Sequence, residues 1–408
     1  MKYAKGIENI FNDMTTWRHR LHRFAETAFQ EKETSFFIRE KLSDFGFDEI
    51  HTMAKTGVVG VLHGKKGAGG RSIMLRADMD ALPVQEQTGL PYTPGVHHAC
   101  GHDGHMAMLL GAAKRLADER DFDGTVYFVF QPAEEDIGGA QEMVKEGLFQ
   151  KFPCESVYGL HNVPNLPLGM FATGPGPMLA SSDDFHVTLK GKGGHTVQAG
   201  RATDLHGALA EVITNIKRVV REEGRSDDEA LVNICAVFTD STATNVTPNK
   251  ITFNGSIRSF DPDLQERLKK RLRDIVESAA NNAGAEVFLD FKNGYPAVVN
   301  TKAETDFAVD VARDIADEGF VVTPVPPILG VEDFAVYLQE KPGNFMAMGS
   351  GTETGGGPHD LHTACYDFND AALPVGASYW VKLVQKALPL GTLPDIAPPV
   401  SPLRPDAP

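Results

Sequence analysis

Side chains of the kinds that bind metal ions are concentrated in five short segments of this 408-residue chain. Three of the segments directly follow apolar runs that are typical of β-strands. In an α/β sheet, residues at the carboxyl ends of the strands gather at one edge, so we expect these side chains to lie close together. The segments are LRADMDALP with Asp78 and Asp80, HHACGHDGH with Cys100, His102, Asp103 and His105, FVFQPAEED with Glu134 and Glu135, YGLHN with His161, and DLHTACYDF with His362.

Each segment alone has an ordinary structural explanation. A lone cysteine such as Cys100 is more often a small buried hydrophobic residue, the pair Glu134 and Glu135 would suit a solvated loop, and His161 a hydrogen-bonded core position. The Cys-x-His spacing is too short for a zinc finger, and no second pair follows at finger spacing. Taken together, however, thiolate, imidazole and carboxylate form the ligand set of borderline transition metals, and zinc, manganese, cobalt and nickel are candidates.

The adjacent carboxylates Glu134 and Glu135 indicate what such a site would do. Successive residues point in different directions, so one carboxylate can bind a metal ion while its neighbour faces a water molecule on that ion. A metal ion lowers the pKa of bound water towards ~7, and a free carboxylate beside it can accept the proton. This division of roles predicts a hydrolase.

The elements that would position these residues alternate between strands and helices. Such alternation predicts an α/β fold with a mostly parallel sheet flanked by helices. The predicted strands are 58–62, 72–75, 125–130 and 156–160, and the predicted helices lie within 7–46, 106–116 and 139–146.

The pattern changes at about residue 183, where strand, helix, strand, strand, helix and strand follow one another. This order predicts an inserted α+β domain with a four-stranded antiparallel sheet and two helices. The α/β pattern resumes with a helix at 304–318 and a strand at 344–348. The expected domains are a discontinuous catalytic domain (1–182 and 298–408), the insert (183–297), and a proline-rich tail at 389–408 that should be extended or disordered.

Composition restricts the partners and the compartment. With 39 basic and 55 acidic residues the formal net charge is -16, which repels phosphate backbones and anionic membranes, so neither nucleic acid nor membrane is expected. The charged N-terminus has no signal-peptide pattern, and no apolar run approaches the ~18 residues of a membrane span. Four cysteines without paired spacing suit reduced thiols. These features predict a cytoplasmic protein.

The same segments make the chain similar to the M20 metallopeptidase and aminoacylase family. The resemblance is to its amidohydrolase branch, which contains hippurate hydrolases, auxin-conjugate hydrolases and N-acyl-amino-acid deacylases, and it covers the chain apart from the tail. The motifs that carry it are, in order, RHRLHRFAE, LRADMDALP, HACGHDGHMAMLLGAA, FVFQPAEE, GLHNVP, KGKGGH, VEDF and LHTACYDFND.

The resemblance implies two divalent metal ions per chain, zinc or manganese first, with cobalt or nickel as further candidates. It implies Glu134 as the general base and Cys100 as the bridging ligand. Asp80 resembles a carboxylate that orients a ligating histidine, whereas Asp78 stands where relatives outside this branch carry a histidine ligand and is not expected to bind metal. The implied ligands are Cys100, His102, Glu135, His161 and His362.

The inserted domain resembles the family's lid and dimerisation domain, which implies a homodimer or homotetramer. His195 resembles the histidine that reaches into the partner subunit's active site and stabilises the oxyanion. Asn245 and Arg258 resemble residues that hold the carbonyl or carboxylate of the substrate, since an arginine fork suits a carboxylate. The alternative for Arg258 is an exposed arginine on a strand.

One segment departs from the family pattern. Relatives in the branch have Pro-His and then Gly-x-Asp-Pro after the lid histidine, whereas this chain reads HTVQAGRATDLHG, with Ala199-Gly200 at the Pro-His position and Asp204 retained. The departure concerns substrate preference, because the predicted ligands and base are intact. We therefore hypothesise that Arg201 and its loop face a differently charged part of the substrate.

These inferences predict hydrolysis of the amide bond of N-acyl amino acids, which gives a carboxylic acid and a free amino acid. A metallo-dipeptidase or carboxypeptidase on the same scaffold is the alternative. The intact ligands and base disfavour a protein that only binds its ligand. A serine hydrolase is disfavoured because the sequence has no G-x-S-x-G segment.

Overall fold

The computed structural model describes residues 1–391 apart from residues 69, 94, 136, 137, 224, 227 and 353. Residues 392–408, most of the predicted tail 389–408, lie outside the described residues. In the described part of the chain, no helix is long and apolar enough to cross a membrane.

Strands and helices alternate through the N-terminal part of the chain, as predicted. The helices are α1 (Phe11–Phe24), α2 (Lys32–Asp44), α3 (His102–Glu119), α4 (Gly139–Lys145), α5 (Leu148–Lys151), α6 (Leu205–Glu222), α7 (Pro262–Ala283), α8 (Lys302–Arg313), α9 (Phe334–Glu340) and α10 (Leu373–Ala387). The strands are β1 (Glu49–Met53), β2 (Gly57–His63), β3 (Ser72–Asp78), β4 (Thr125–Gln131), β5 (Ser156–Val163), β6 (Phe171–Ala172), β7 (Gly176–Leu179), β8 (Ser181–Lys190), β9 (Gly194–His195), β10 (Ala230–Thr239), β11 (Val246–Thr247), β12 (Lys250–Ser259), β13 (Glu286–Asn293), β14 (Val298–Asn300), β15 (Val321–Val322) and β16 (Gly343–Gly349).

The larger sheet has the strand order β1-β2-β4-β3-β5-β16-β6-β15. Its central strands β4, β3, β5 and β16 run parallel, whereas β1 and β2 are antiparallel additions at one edge. Side chains of α1, α3 and α10 pack on one face, and those of α4, α5 and α9 pack on the other. This arrangement confirms the predicted α/β fold with a mostly parallel sheet between helices.

The second sheet has the order β10-β12-β8-β13, and all its neighbouring strands are antiparallel. Helices α6 and α7 cover one face of this sheet. Val212 and Leu268 from the helices and Phe185 and Phe253 from the strands lie in one buried apolar cluster. The predicted four-stranded antiparallel sheet with two helices is therefore present.

Local signals in the sequence fix the ends of α7. The Asp261 side chain accepts hydrogen bonds from the backbone N–H groups of Asp263 (2.9 Å) and Leu264 (3.3 Å), and Pro262 occupies the first turn. Gly284 ends the helix at a φ of 63°, a left-handed conformation that glycine adopts without strain. These caps stabilise both ends of α7, the longer of the two helices that cover the second sheet.

The chain enters the second sheet at Ser181 and leaves it at Asn293. The division of the chain into a catalytic domain and an inserted domain at 183–297 stays a prediction. The helix predicted at 304–318 is wrong at its end, because α8 stops at Arg313 and the chain then turns towards Gly319, whose φ is 82°. The sequence did not predict α10.

Candidate metal centre

Cys100 lies where three distant segments of the chain converge. Its Sγ is 3.5 Å from Nε2 of His161, near the end of β5, and 3.3 Å from Nε2 of His362, in the loop before α10. Cys100 itself is buried just ahead of α3. Folding therefore places a thiol between two imidazoles that come from different parts of the sequence.

Glu135 extends this cluster towards α3. Its Oε1 lies 3.4 Å from Nε2 of His362 and 3.7 Å from Nε2 of His102, the first residue of the helix. Cys100, Glu135 and His362 each offer a ligand atom, and these atoms all lie within 4.8 Å of one another. The structure thus brings together all five residues that the sequence proposed as ligands.

Two atoms of this cluster show that it suits cations. Nε2 of His102 and Oε1 of Glu135 are buried and have no hydrogen-bond partner in the described chain. Burying an unpaired polar atom is costly, and a cation held between them would satisfy both. Thiolate, imidazole and carboxylate are also ligands that zinc and its neighbours accept. The residues therefore fit a pair of divalent metal ions.

The neighbours of two histidines leave Nε2 free to bind. Nδ1 of His102 lies 2.9 Å from the backbone carbonyl of Asp80 and 3.4 Å from its carboxylate Oδ1. Nδ1 of His161 lies 2.8 Å from the backbone carbonyl of Asn162. If each Nδ1 carries the proton, each Nε2 is a lone-pair donor turned towards the cluster. Asp80 also accepts a hydrogen bond from the backbone N–H of Glu135 at 3.1 Å.

Asp78 is engaged on both carboxylate oxygens, although one of its oxygens also lies within 4.8 Å of ligand atoms of His102 and His161. Oδ2 forms a 2.7 Å ion pair with Arg76, and Oδ1 lies 2.6 Å from Nδ1 of His105. Burial opposes ionisation of Asp78, but the charges of His102, His105 and Arg76 outweigh it and hold its pKa well below the usual range. Nε2 of His105 in turn contacts the Asn162 side chain at 2.6 Å. Asp78 and His105 therefore form a hydrogen-bonded pair next to the Cys100 cluster.

The thiol of Cys100 is held in its protonated form without a cation. Burial, and next the charges of Glu135 and Glu134, raise its pKa well above the ordinary value. A cation that takes the sulfur as a ligand must therefore displace the thiol proton, and binding at this cluster should release protons.

Glu134 is buried beside the cluster, with 7% of its surface exposed. One of its carboxylate oxygens lies within 4.8 Å of ligand atoms of both His102 and Glu135. Burial, followed by the charges of Glu332 and Glu135, raises the pKa of Glu134 well above its usual range. The predicted base therefore lies beside two of the proposed ligands, His102 and Glu135.

A buried arginine that the sequence analysis did not single out organises the carboxylates behind Glu134. Arg76 contacts Glu332 at 2.8 Å and Asp333 at 3.0 Å through Nη2, and its Nε donates to Gln131 at 2.9 Å. Arg76 belongs to the LRADMDALP segment, and the two acidic residues belong to VEDF. Those motifs were visible in the sequence, but nothing in them showed that they meet.

His195 and Asn245 lie together on an exposed ribbon. Strand β9, which ends at His195, pairs with β11, and the Thr196 N–H donates to the Asn245 carbonyl at 3.0 Å. Nδ1 of His195 accepts from the Val197 N–H at 3.2 Å. Within the described chain, no hydrogen bond or ion pair joins either residue to the Cys100 cluster. Arg201 is exposed at the end of the short 3-10 helix that follows.

Arg258 is partly buried on β12, so it is not an exposed strand arginine. Its Nη1 donates to the backbone carbonyl of Leu329 at 2.6 Å, in the loop that leads to Glu332. Its Nε is buried without a hydrogen-bond partner among the described residues. The guanidinium therefore links the second sheet to the loop that precedes Glu332. Its Nε–H remains available as a hydrogen-bond donor.

Known proteins are similar to this chain along nearly its whole length. The chain is 36% identical over 391 residues to the hippurate hydrolase of Campylobacter jejuni, which covers 95% of this chain and 100% of that protein. It is 32% identical over 389 residues to thermostable carboxypeptidase 1 of Saccharolobus solfataricus, covering 92% and 97% of the two chains. The crystal structure of the Bacillus subtilis YXEP protein, a dinuclear metal binding peptidase, superposes with a TM-score of 0.78 at 30% identity, covering 92% and 98%.

The family itself is matched over most of the sequence, since residues 74–386 correspond to peptidase family M20/M25/M40. The predicted resemblance is confirmed by this match and by the hippurate hydrolase relative. The converging thiol, imidazoles and carboxylates give the match a chemical basis in this chain. The chain therefore belongs to peptidase family M20/M25/M40 and is a hydrolase.

Proposed function

We propose that this hydrolase cleaves the amide bond of N-acyl amino acids and releases a carboxylic acid and a free amino acid. The observation that carries the proposal is the position of Glu134, buried within 4.8 Å of ligand atoms of His102 and Glu135 but outside the group around Cys100. A relative that is 36% identical is a hippurate hydrolase, and hippurate is an N-acyl amino acid. The proposed substrate class therefore rests on the position of Glu134 and on the similarity to the hippurate hydrolase.

The ligands would be Cys100, His102, Glu135, His161 and His362, holding two divalent ions. When bound, such ions polarise a carbonyl oxygen and make water acidic enough to lose a proton near neutral pH. We propose zinc or manganese, with cobalt or nickel as further candidates, because all of them accept this mixed set of donors.

Glu134 would move the protons of the reaction. Its carboxylate takes a proton from the attacking water and returns that proton to the leaving amine, so one group serves first as base and then as acid. Next to Glu134 lies an ion-pair network in which Arg76 binds Glu332 at 2.8 Å and Asp333 at 3.0 Å. Arg76, Glu332 and Asp333 are themselves buried.

Residues of the second sheet would complete the substrate site. We propose that Arg258 binds the carboxylate of the amino-acid part, and its unpartnered Nε is a free donor for that purpose. His195 and Asn245 would stabilise the oxyanion and the carbonyl from a partner subunit, since both are exposed on their ribbon. This assignment requires an oligomer.

The exposed edge of the second sheet suits such an oligomer. Strand β10 is one of the two edge strands of the second sheet, and Val237 and Phe238 on it expose 43% and 59% of their surface. An edge strand presents unpaired backbone groups, and apolar side chains beside them favour association with a second copy. We therefore propose a homodimer, or a tetramer built from it, joined through residues 183–297.

Substrate hydrolysis after metal exchange tests the reaction. The protein is stripped with a chelator, reloaded separately with zinc, manganese, cobalt or nickel, and given benzoyl, acetyl and longer-chain N-acyl amino acids beside dipeptides. Activity on the acyl amino acids that disappears on stripping and returns with metal supports the proposal. Activity confined to peptides would support the carboxypeptidase alternative, for which a relative at 32% identity exists. A reloaded Glu134→Gln protein is the matched control for contaminating hydrolases.

A further inference from the structure

A second cluster of buried ligand-type side chains lies away from Cys100. His22 near the end of α1 meets Glu86 and His97, which belong to the segment between β3 and α3. Their exposed fractions are 1%, 5% and 0%. Each residue offers one ligand atom, and these atoms all lie within 4.8 Å of one another. The proposed hydrolysis uses none of them.

The spacing of these atoms matches ligands on a single ion. Oε2 of Glu86 lies 3.2 Å from Nε2 of His22 and 3.8 Å from Nδ1 of His97. Ligand atoms bound tetrahedrally to zinc at ~2.1 Å are ~3.4 Å from one another. The two distances to Glu86 are therefore within a few tenths of an ångström of that value, and the two histidine nitrogens lie within 4.8 Å of each other. Two imidazoles and a carboxylate form a recognised zinc ligand set, with the fourth position left to water.

The surroundings of His22 and Glu86 resemble the outer contacts of metal ligands. Nδ1 of His22 lies 2.8 Å from Oδ2 of Asp103, which orients the ring and directs Nε2 at Glu86. The second oxygen of Glu86 accepts hydrogen bonds from the hydroxyls of Thr88 and Thr93. Metal-binding histidines typically donate their other N–H to a carboxylate, and ligating carboxylates are hydrogen-bonded in turn.

His97 is the residue that a purely structural explanation leaves unsatisfied. A protonated His22 between Asp103 and Glu86 would account for those three side chains without any ion. Both ring nitrogens of His97, however, are buried and form no hydrogen bond of good geometry in the described part of the chain, and the backbone of Tyr366 interacts with the ring only weakly. A buried polar group without a partner is costly, and an ion bound at Nδ1 removes half of that cost.

An unpartnered ring alone would not define the site. His98 also has two buried nitrogens without partners, but neither is grouped with other ligand atoms within 4.8 Å in the described chain. His97 differs because a carboxylate oxygen and a second, oriented imidazole face it. The inference thus depends on His97 together with Glu86 and His22.

We infer that His22, Glu86 and His97 bind one zinc ion, with the fourth position open to water. The ion fastens the segment between β3 and α3 to α1. Regular pairing in the described residues of that segment consists of isolated bridges, such as the one between Leu82 and His97. Because the segment leads directly into Cys100 and His102, the ion anchors the strand-to-helix connection on which the catalytic ligands stand.

Metal content and thermal unfolding test the inference without substrate. The His97→Leu variant replaces the ring by an apolar side chain of similar size. We expect it to hold one zinc fewer per chain than the wild type after dialysis against a chelator, and to unfold at a temperature lower by about 5 °C or more. With no ion at this site, the variant would keep the wild-type zinc content and would be equally or more stable, because an unpaired polar group has been removed.

Two further variants make the result decisive. Glu86→Gln keeps the shape of the side chain but lowers its affinity for zinc, and we expect the same loss of one equivalent. It also decides the matter should His97→Leu fail to fold. Cys100→Ala separates the two centres, since it should reduce the zinc held at the catalytic cluster and retain the ion that His97→Leu loses. Equal zinc content in the wild type, His97→Leu and Glu86→Gln overturns the inference, whatever substrate the enzyme hydrolyses.

Discussion

The hydroxyl of Tyr295 donates a 2.7 Å hydrogen bond to the backbone carbonyl of Glu134. Tyr295 follows β13, where the chain returns from the second sheet, and its own carbonyl accepts a 2.9 Å hydrogen bond from the N–H of Ser182 at the first crossing. Burial, and next the charge of Asp333, raises the pKa of Tyr295, so its hydroxyl remains a donor. Through Tyr295, the two chain segments that connect the sheets, at Ser182 and at Tyr295, are both hydrogen-bonded to the loop that carries Glu134.

Removal of this hydroxyl should impair turnover more than substrate binding. The Tyr295→Phe variant loses one neutral hydrogen bond to the backbone of Glu134, which contributes ~1 kcal/mol, so kcat should fall about fivefold. KM and metal content should remain close to the wild-type values, because no ligand and no proposed substrate contact is changed. Steady-state kinetics and metal analysis measure both effects.

Tyr127→Phe supplies the matched control. Tyr127 is a half-buried tyrosine on β4, and no hydrogen bond of its hydroxyl is recorded in the described chain. The kcat and KM of the Tyr127→Phe variant should equal those of the wild type. An equal loss of kcat in both variants would show that the effect of Tyr295→Phe is not specific to Glu134.

Glu134→Gln should abolish most of the activity and retain the metal ions. The amide keeps the shape of the side chain but cannot accept a proton, and general-base catalysis typically contributes about 10²- to 10⁴-fold. Metal content should match the wild type, because Glu134 is not among the proposed ligands. Near-normal turnover in this variant would rule out Glu134 as the base, and a loss of metal would make it a ligand instead.

Arg258→Lys should weaken substrate binding with a smaller effect on kcat. Lysine keeps the positive charge but loses the planar fork that binds a carboxylate through two hydrogen bonds. We expect KM for an N-acyl amino acid to rise by about tenfold, and much less for a substrate whose carboxylate is amidated. Arg273→Lys, on the exposed side of α7, should leave KM unchanged. Equal effects on both substrates would remove Arg258 from carboxylate binding.

Glu31 predicts a dependence of stability on pH. Its carboxylate accepts hydrogen bonds from the Thr56 hydroxyl (2.6 Å) and the Ala133 N–H (2.9 Å). Burial nevertheless raises its pKa from 4.5 to about 7. Between these two values the folded protein binds a proton that the unfolded chain has lost. The free energy of unfolding should therefore decrease by up to about 3 kcal/mol as the pH rises from ~4.5 to ~7.

Chemical unfolding of metal-free protein across this range measures the effect. Glu31→Gln removes the titrating group, so the difference in unfolding free energy between wild type and variant should change with pH in that direction. Glu33→Gln, an exposed neighbour on α2, should follow the wild-type curve. A pH-independent difference between wild type and Glu31→Gln would contradict the expected titration of Glu31.

The parallel strands could be predicted from the sequence because each is a short apolar run, bounded by glycine or charge, next to a helical stretch. Helix α10 was missed although its sequence carries a helical pattern. It packs against α3, α1 and α8, and most of its residues are buried, but Lys382, Gln385 and Lys386 recur at helical spacing on its less buried face. This pattern was available in the sequence. The two-residue strands were also missed, since they are too short to form a pattern.

Within the site, the five ligand-type residues and Glu134 were found because their side-chain types are informative by themselves. Arg76, Glu332 and Tyr295 were not, because an arginine, a glutamate or a tyrosine is common on surfaces and gains meaning only from its neighbours. Two partners of Arg76, Glu332 and Asp333, lie more than 250 residues away. Only folding shows such pairs. His195 and Asn245 are paired on an exposed ribbon, and their predicted roles depend on a second subunit.

The position of His362 along the chain has a consequence for biosynthesis. This residue meets Cys100 across a separation of 262 residues, whereas the other ligands all precede residue 162. A ribosome therefore releases four of the five proposed ligands well before the last one, and the nascent polypeptide can acquire the complete proposed set only after residue 362 has been synthesised. Metal binding at the full cluster consequently has to wait for His362, and messages truncated before codon 362 yield products that lack this imidazole.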